Sequence, residues 1–207
     1  MATTAENAGD AAAIADPIAR FLELLAEAEA LGRAVLPEQT AMMLSTVGAD
    51  GQPSSRVVLL KAVDARGFVF YTNLESRKAR ELTAHPRAAL CFHWQLLERQ
   101  VRIEGEAEPV SAAEADAYFA TRARLSQIGA WASRQSRRLT SDAELEARVR
   151  EVEERFEGQE VPRPPHWSGF RVVPRRIEFW RNRAYRLHER LLYERTDGQW
   201  LVSRLYP

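Results

Sequence analysis

Apolar residues recur along this chain with two different periods, and the changes between them mark out its elements. Ile18, Phe21, Leu22, Leu25 and Ala28 form one face of a helix that Asp16 caps and Pro17 opens. From Thr40 the spacing shortens to strand-like runs, Thr40–Val47, Ser55–Val63 and Phe68–Asn73, with turn signals at Ala49-Asp50-Gly51-Gln52 and Asp64-Ala65-Arg66-Gly67. A helix predicted from Ser76 to His85-Pro86 separates these from another antiparallel pair, Ala88–Trp94 and Arg99–Pro109. The pattern then turns helical over Ala112–Thr121 and Ser126–Ala132. Behind the capping box Ser141-Asp142-Ala143-Glu144 a longer helix carries the stripe Leu145, Val149, Val152 and Phe156. Val161–Pro165 is predicted to be extended. Three strands close the chain, Phe170–Phe179, Tyr185–Glu194 and Trp200–Leu205, the last two joined at Asp197-Gly198.

Short strands with tight turns, and helices inserted in two places, predict a mainly β fold with α: an antiparallel barrel decorated by helices. The alternation of a parallel nucleotide-binding sheet is absent, as are GxGxxG and GxxxxGK[ST] loops. The 207 residues suit one compact domain over 16–207 behind a disordered tail, Met1 to Ala15. Formal net charge is zero, so any anion site must be local and not the product of a bulk field. Cys91 is the only cysteine, which excludes an intrachain disulfide; within the apolar run 88–94 it reads as a buried, inert thiol. The N-terminus lacks the basic region and apolar core of a secretory signal, and no stretch reaches the roughly 18 apolar residues of a membrane helix. A cytoplasmic protein is expected.

Local chemistry is sharpest between Arg56 and Lys78. Ser76 is a good N-cap, so Arg77 and Lys78 fall in the first helical turn, where the helix dipole favours anions and disfavours cations. Two cations beside free backbone N–H groups become comfortable once a phosphate sits between them. Tyr71 and Thr72 end the preceding strand. Arg56 and Lys61 flank the apolar run Val57–Leu60 an odd number of residues apart, and read equally as solvent-facing strand ends or as ligand contacts.

Tyr118, Arg122 and Ser126 form a second constellation. The first two share a helix face and Ser126 is expected to cap the next helix, which makes either a phosphate clamp or an ordinary surface. Gln100, Gln135 and Ser136 suit heterocycle edges or plain surface, and Arg137 and Arg138 read as a solvated basic turn. In an extended strand Arg186, His188 and Arg190 would project from one face near Trp180, a costly grouping unless it meets an anion or an electron-rich ring. The four histidines lack metal-ligand spacing with acids, and no serine sits in a nucleophile elbow.

The ordered set RVVLLK, GFVFYTN, SRKA, RQVRIEG, YFATRARLSQIGAW, SRQS, VPRPPHWSGFRV, IEFW, RLHER and RLYP resembles the pyridoxamine/pyridoxine 5′-phosphate oxidases from about Thr40 to Pro207. The resemblance implies a split-barrel homodimer holding FMN at its interface. It implies FMN contacts from Arg56, Val57, Val58, Leu59, Leu60, Lys61, Tyr71, Thr72, Arg77, Lys78, Gln100, Gln135, Ser136, Trp180 and Arg190. Lys61, Tyr118, Arg122 and Ser126 would hold the substrate phosphate, while Arg186, Leu187 and His188 would lie at the pyridine ring, Arg186 and His188 as the catalytic pair. The implied reaction passes a hydride from substrate C4′ to flavin N5, yields pyridoxal 5′-phosphate, and returns the electrons to O2 as H2O2. The family's N-terminal Arg-x-x-Tyr segment has no counterpart before Thr40, Ala123 replaces a usual proline, and Ser168 a usual glycine. A related oxidase of another reduced ring, of phenazine type, and a non-enzymatic FMN-binding protein are the alternatives; the Tyr118/Arg122/Ser126 clamp speaks against the first, and Arg186 with His188 against the second.

Overall fold

The computed structural model describes residues 16–207, and the expected tail lies outside them. Among the described residues nine strands make one antiparallel sheet: β1 Ala41–Val47, β2 Pro53–Leu59, β3 Ala62–Asp64, β4 Gly67–Asn73, β5 Arg87–Trp94, β6 Arg99–Pro109, β7 Trp167–Arg181, β8 Glu189–Thr196 and β9 Gln199–Arg204. Their order is β2-β1-β5-β6-β7-β4-β3, with β8 and then β9 added beside the second half of β7. The long β7 thus serves three partners. Residues 167–172 pair with β4, 176–181 with β8, and β6 lies along its other edge. Among the described residues five α-helices decorate the sheet: α1 Pro17–Ala30, α2 Arg77–Ala84, α3 Ala112–Ala120, α4 Arg124–Ala132 and α5 Asp142–Arg155.

The predicted strand Ser55–Val63 is broken in two. Leu60 N–H donates to Thr40 O (2.9 Å) and Lys61 N–H to Val69 O (2.8 Å), so the chain leaves β1 and joins β4 within two residues. The predicted strand Tyr185–Glu194 begins only at Glu189, because Ala184–Arg186 form a short 3-10 turn in which Tyr185 (φ 58°) and Arg186 (φ 62°) are left-handed. The capping box is also misplaced. Ser141 Oγ accepts from Glu144 N–H, but the Glu144 carboxylate turns to Thr140 N–H; the reciprocal pair is at Ser111 and Glu114, opening α3.

The main core lies between the curled sheet and α1. Phe21 is fully buried with its ring 4.9 Å from those of both Phe68 and Phe92; such burial contributes about 2 kcal/mol. Leu22, expected on that face, is exposed. β4 is covered on both sides. Phe68 and Phe70 point into this core, whereas Tyr71 faces a second cluster built by α3–α5 around Phe119, Ile128, Val152, Phe156 and Trp167, and Val69 packs with Val110 and Ala115 in a third. Arg171, 3% exposed, ties the helices to the sheet through Asp64 Oδ1 and Glu114 Oε1, each at 2.7 Å. Cys91 is only half-buried: it stands on the outer face of β5, in a cross-strand row with Met43 and Arg102. Burial nonetheless raises its thiol pKa.

Candidate functional site

The N-terminus of α2 forms a cationic cradle. Ser76 caps it by accepting from Ala79 N–H at 3.3 Å, which leaves the first-turn residues Arg77 and Lys78 facing the end of β4 and the segment after α4. Lys78 Nζ donates to Gln135 Oε1 (3.1 Å), Thr72 Oγ1 (3.2 Å) and Ser76 Oγ (3.4 Å), all neutral oxygens. Arg77 N–H donates to Ser136 Oγ at 3.2 Å, and Ser136 has a left-handed backbone (φ 68°) that turns the segment back over the helix end. Burial lowers the Lys78 pKa, and the nearby charge of Arg56 lowers it further. A lysine pressed by desolvation and a like charge, with no ion pair of its own among the described residues, fits an incoming phosphate.

Arg56 is held from behind. Its guanidinium donates to Leu44 O, Thr46 Oγ1, Ser54 Oγ and, at 3.3 Å, Glu81 Oε2. Glu81 also accepts from Ser54 Oγ (2.8 Å), Thr46 Oγ1 and Arg77 Nε (2.7 Å). Burial would raise this carboxyl, but the hydrogen bonds from Thr46, Arg77 and Ser54 outweigh it and hold the pKa at about 2, against an ordinary 4.5. A depressed carboxyl pKa adds stability that is complete above about 4.5 and disappears as pH falls towards 2. Acid unfolding of the wild type followed by circular dichroism is therefore expected to show a loss in that window that Glu81→Gln lacks. Glu81 was missed in the sequence, although its i+4 spacing from Arg77 was the available signal.

On the other face of β4, Tyr71 stacks on Tyr118 with centroids 4.1 Å apart and planes 10° apart, and its hydroxyl donates to Glu114 O. Trp167 lies parallel to Tyr71 at 5.3 Å, with Arg122 Cζ 4.8 Å from its ring. Gly169 stands opposite Tyr71, and a Cβ there would lie 2.7 Å from both Phe70 O and Tyr71 Cδ1; only glycine leaves room for this ring. Arg122 Nη1 is buried with no hydrogen-bond partner among the described residues. Burial lowers the Arg122 pKa, with Tyr118 acting weakly the other way. Ser126 is not a cap. α4 starts at Arg124 behind Ala123, and Ser126 sits within the first turn with its N–H bonded to Ala123 O (2.8 Å).

The third group runs across three strands. Gln100, Trp180 and Arg190 are direct neighbours in β6, β7 and β8, so their side chains share one half-buried face. Arg190 is locked by Glu178, with Nε and Nη2 at 2.8 and 3.1 Å from its two oxygens, and Nη1 donates to Tyr206 O. His188 packs 4.6 Å from Trp180, and its Nδ1 accepts from Arg183 N–H at 3.3 Å, so the neutral ring carries its proton on Nε2. Arg186 does not share a strand face with His188 and Arg190; the turn at Tyr185–Arg186 separates them, and Arg186 and Leu187 are exposed. Lys61, Gln135, Ser136, Arg137 and Arg138 are exposed as well. Of the run Val57–Leu60, Val57 is exposed, Val58 and Leu59 are half-buried and Leu60 is buried. Among the described residues no His, Cys, Asp and Glu side chains group to hold a metal ion, and no helix is long and apolar enough to cross a membrane.

Residues 29–156 match the family model described as pyridoxamine 5′-phosphate oxidase, and residues 167–207 match that of the pyridoxine 5′-phosphate oxidase C-terminal dimerisation region. A pyridoxine/pyridoxamine 5′-phosphate oxidase of Myxococcus xanthus is 62% identical over 93% of this chain and 92% of its own length. Its counterpart in Caulobacter vibrioides is 60% identical over 93% and 85%. Among solved structures, PhzG from Burkholderia lata, in complex with tetrahydrophenazine-1-carboxylic acid, superposes with a TM-score of 0.87 at 35% identity, covering 93% of each chain.

Proposed function

The chain belongs to the pyridoxamine 5′-phosphate oxidase family, and from that membership we propose that it oxidises pyridoxamine 5′-phosphate and pyridoxine 5′-phosphate to pyridoxal 5′-phosphate, with FMN as its flavin. The observation that carries this reading is the pair of anion-ready groups on opposite sides of β4: the Lys78 cradle beside Thr72, and the Arg122 guanidinium over Trp167 with its Nη1 unpartnered among the described residues. One phosphate belongs to the cofactor and the other to the substrate.

In this reading Arg56, Thr72, Arg77, Lys78, Gln135 and Ser136 hold the FMN phosphate, and Gln100, Trp180 and Arg190 border the ring. When bound, FMN supplies the two-electron acceptor for the hydride leaving C4′ and the route to O2, giving H2O2. Tyr118, Arg122 and Ser126, with Lys61, anchor the substrate phosphate and so fix the distance at which C4′ is presented. His188, protonated at Nε2 while Nδ1 accepts from Arg183, offers a hydrogen-bond donor to the pyridine ring. Arg186 supplies positive charge from a left-handed turn. Arg190, balanced by Glu178, keeps its charge fixed in place for the developing negative charge of the reduced ring.

Exposure of Lys61, Arg186 and Leu187 in one protomer agrees with a homodimer in which the second copy covers them. The match of 167–207 to a dimerisation region supports the same assembly. Residues 16–207 then act as a single catalytic unit of a cytoplasmic enzyme.

The likeness to PhzG favours a second reading, oxidation of an unphosphorylated reduced ring. A half-buried guanidinium whose Nη1 has no partner among the described residues suits a phosphate better. Purified protein supplied under air with each of the two vitamin phosphates should form aldehyde and peroxide in equal amounts; bound flavin with no product from either would refute the proposal. Arg186→Leu is expected to cut kcat about ten- to a hundredfold while FMN content of the purified protein stays at the wild-type level. Equal loss of both would remove Arg186 from the chemistry.

A further inference from the structure

Trp167 touches neither phosphate in the reading above, yet it carries the residue that does. Its indole lies 4.8 Å from Arg122 Cζ. The ring is 1° from the plane of Tyr71 and 9° from that of Tyr118, at 5.3 and 6.2 Å between centroids. Phe119 meets it edge-on at 5.0 Å and also approaches the guanidinium, 5.6 Å from Cζ. Trp167 itself is 6% exposed and fixed by pairing with Asn73 across β4 and β7.

The manner of holding matters. A carboxylate partner would take up guanidinium N–H donors and cancel the charge. An aromatic face attracts the cation while leaving its donors at the edge free. Arg122 makes no ion pair among the described residues, and its Nη1 is left buried without a partner. Orientation by rings keeps this arginine both aimed and unspent.

We propose that Trp167 is a positioning residue: by seating Arg122 on its indole face it sets the preference for phosphorylated over unphosphorylated substrate. The inference rests on the reading that Arg122 receives the substrate phosphate. It also gives Tyr71 a role towards the substrate side, as the ring behind Trp167 and Tyr118.

The test compares wild type, Trp167→Leu, Trp167→Phe and Tyr71→Leu. Two quantities are read: the ratio of kcat/KM for pyridoxamine 5′-phosphate over pyridoxamine, and the Kd of holoprotein for pyridoxal 5′-phosphate by equilibrium dialysis. Loss of a desolvated cation–π contact predicts that Trp167→Leu lowers the ratio roughly tenfold or more, through KM rather than kcat, and weakens pyridoxal 5′-phosphate by a similar factor. Trp167→Phe, which keeps a ring face, should recover most of both. An unchanged ratio, a parallel loss on both substrates, or a phenylalanine variant as impaired as the leucine one would overturn the proposal. Should Trp167→Leu fail to fold, Tyr71→Leu at its half-buried position must lower the same ratio, and an unchanged ratio there is equally fatal. Wild-type turnover judges the underlying oxidase reading separately; if it is absent, dialysis still decides whether Trp167 governs phosphate binding.

Discussion

Arg122→Met is expected to lower kcat/KM for pyridoxamine 5′-phosphate by about a hundred- to a thousandfold, the worth of a charge-assisted phosphate contact in a desolvated site. The free protein should at the same time become no less stable. Arg122 Nη1 is buried without a partner among the described residues, and burial already lowers the pKa of the guanidinium. An orphaned buried donor costs on the order of 1–3 kcal/mol, which methionine relieves, while its sulfur on the Trp167 and Phe119 rings offsets the lost cation–π contact. The combination discriminates: a residue important only to the fold would lose stability together with activity. Thermal unfolding with and without pyridoxal 5′-phosphate reads both halves, since the ligand should raise Tm in the wild type far more than in the variant.

The second large effect concerns the cofactor. Lys78→Met should weaken FMN binding about a hundredfold or more, so that the variant is purified largely colourless but folded. Among the described residues Lys78 donates to neutral oxygens of Thr72, Ser76 and Gln135 and to no carboxylate, so its removal strands none there. Burial, aided by Arg56, holds its pKa below the ordinary lysine value. Charging this lysine in the free fold is therefore unfavourable at low pH, and the penalty disappears as pH rises. A bound phosphate reverses that balance by favouring the ammonium. FMN affinity should accordingly fall as pH rises through the lowered Lys78 pKa, and Lys78→Met should abolish that dependence. Fluorescence titration of apoprotein with FMN across pH measures both.

Much of the scaffold was legible because its signals are local. β6 was expected at Arg99–Pro109 and is found there, its alternation translated into alternate burial. Asp197 and Gly198 both take positive φ (51° and 80°), as their hairpin requires. The cradle was equally local: Ser76, Arg77 and Lys78 declare a helix start with cations in the first turn, and the structure puts Thr72, Gln135 and Ser136 around it. What stayed hidden depends on long-range register or on turns without glycine or proline. Arg186 and His188 looked like alternate strand positions. β7 ends instead where Asn182 N–H bonds to Glu98 O, and Tyr185 and Arg186 bend left-handed with no residue type announcing it. Ser126 has the chemistry of a cap, but the helix starts two residues earlier. Glu81 reaches Arg56 only because β1, β2 and α2 converge, and Trp167, an aromatic in a strand, is indistinguishable in sequence from ordinary core.

One anaerobic titration decides whether the protein is a flavin oxidase of vitamin B6 phosphates. Holoprotein is mixed with pyridoxamine 5′-phosphate in the absence of O2 while the visible absorption of the flavin is followed. Bleaching that stops at one substrate oxidised per flavin, with pyridoxal 5′-phosphate as the product and colour restored on admitting air, is the predicted result. An oxidised flavin spectrum that persists in the presence of excess substrate would contradict it.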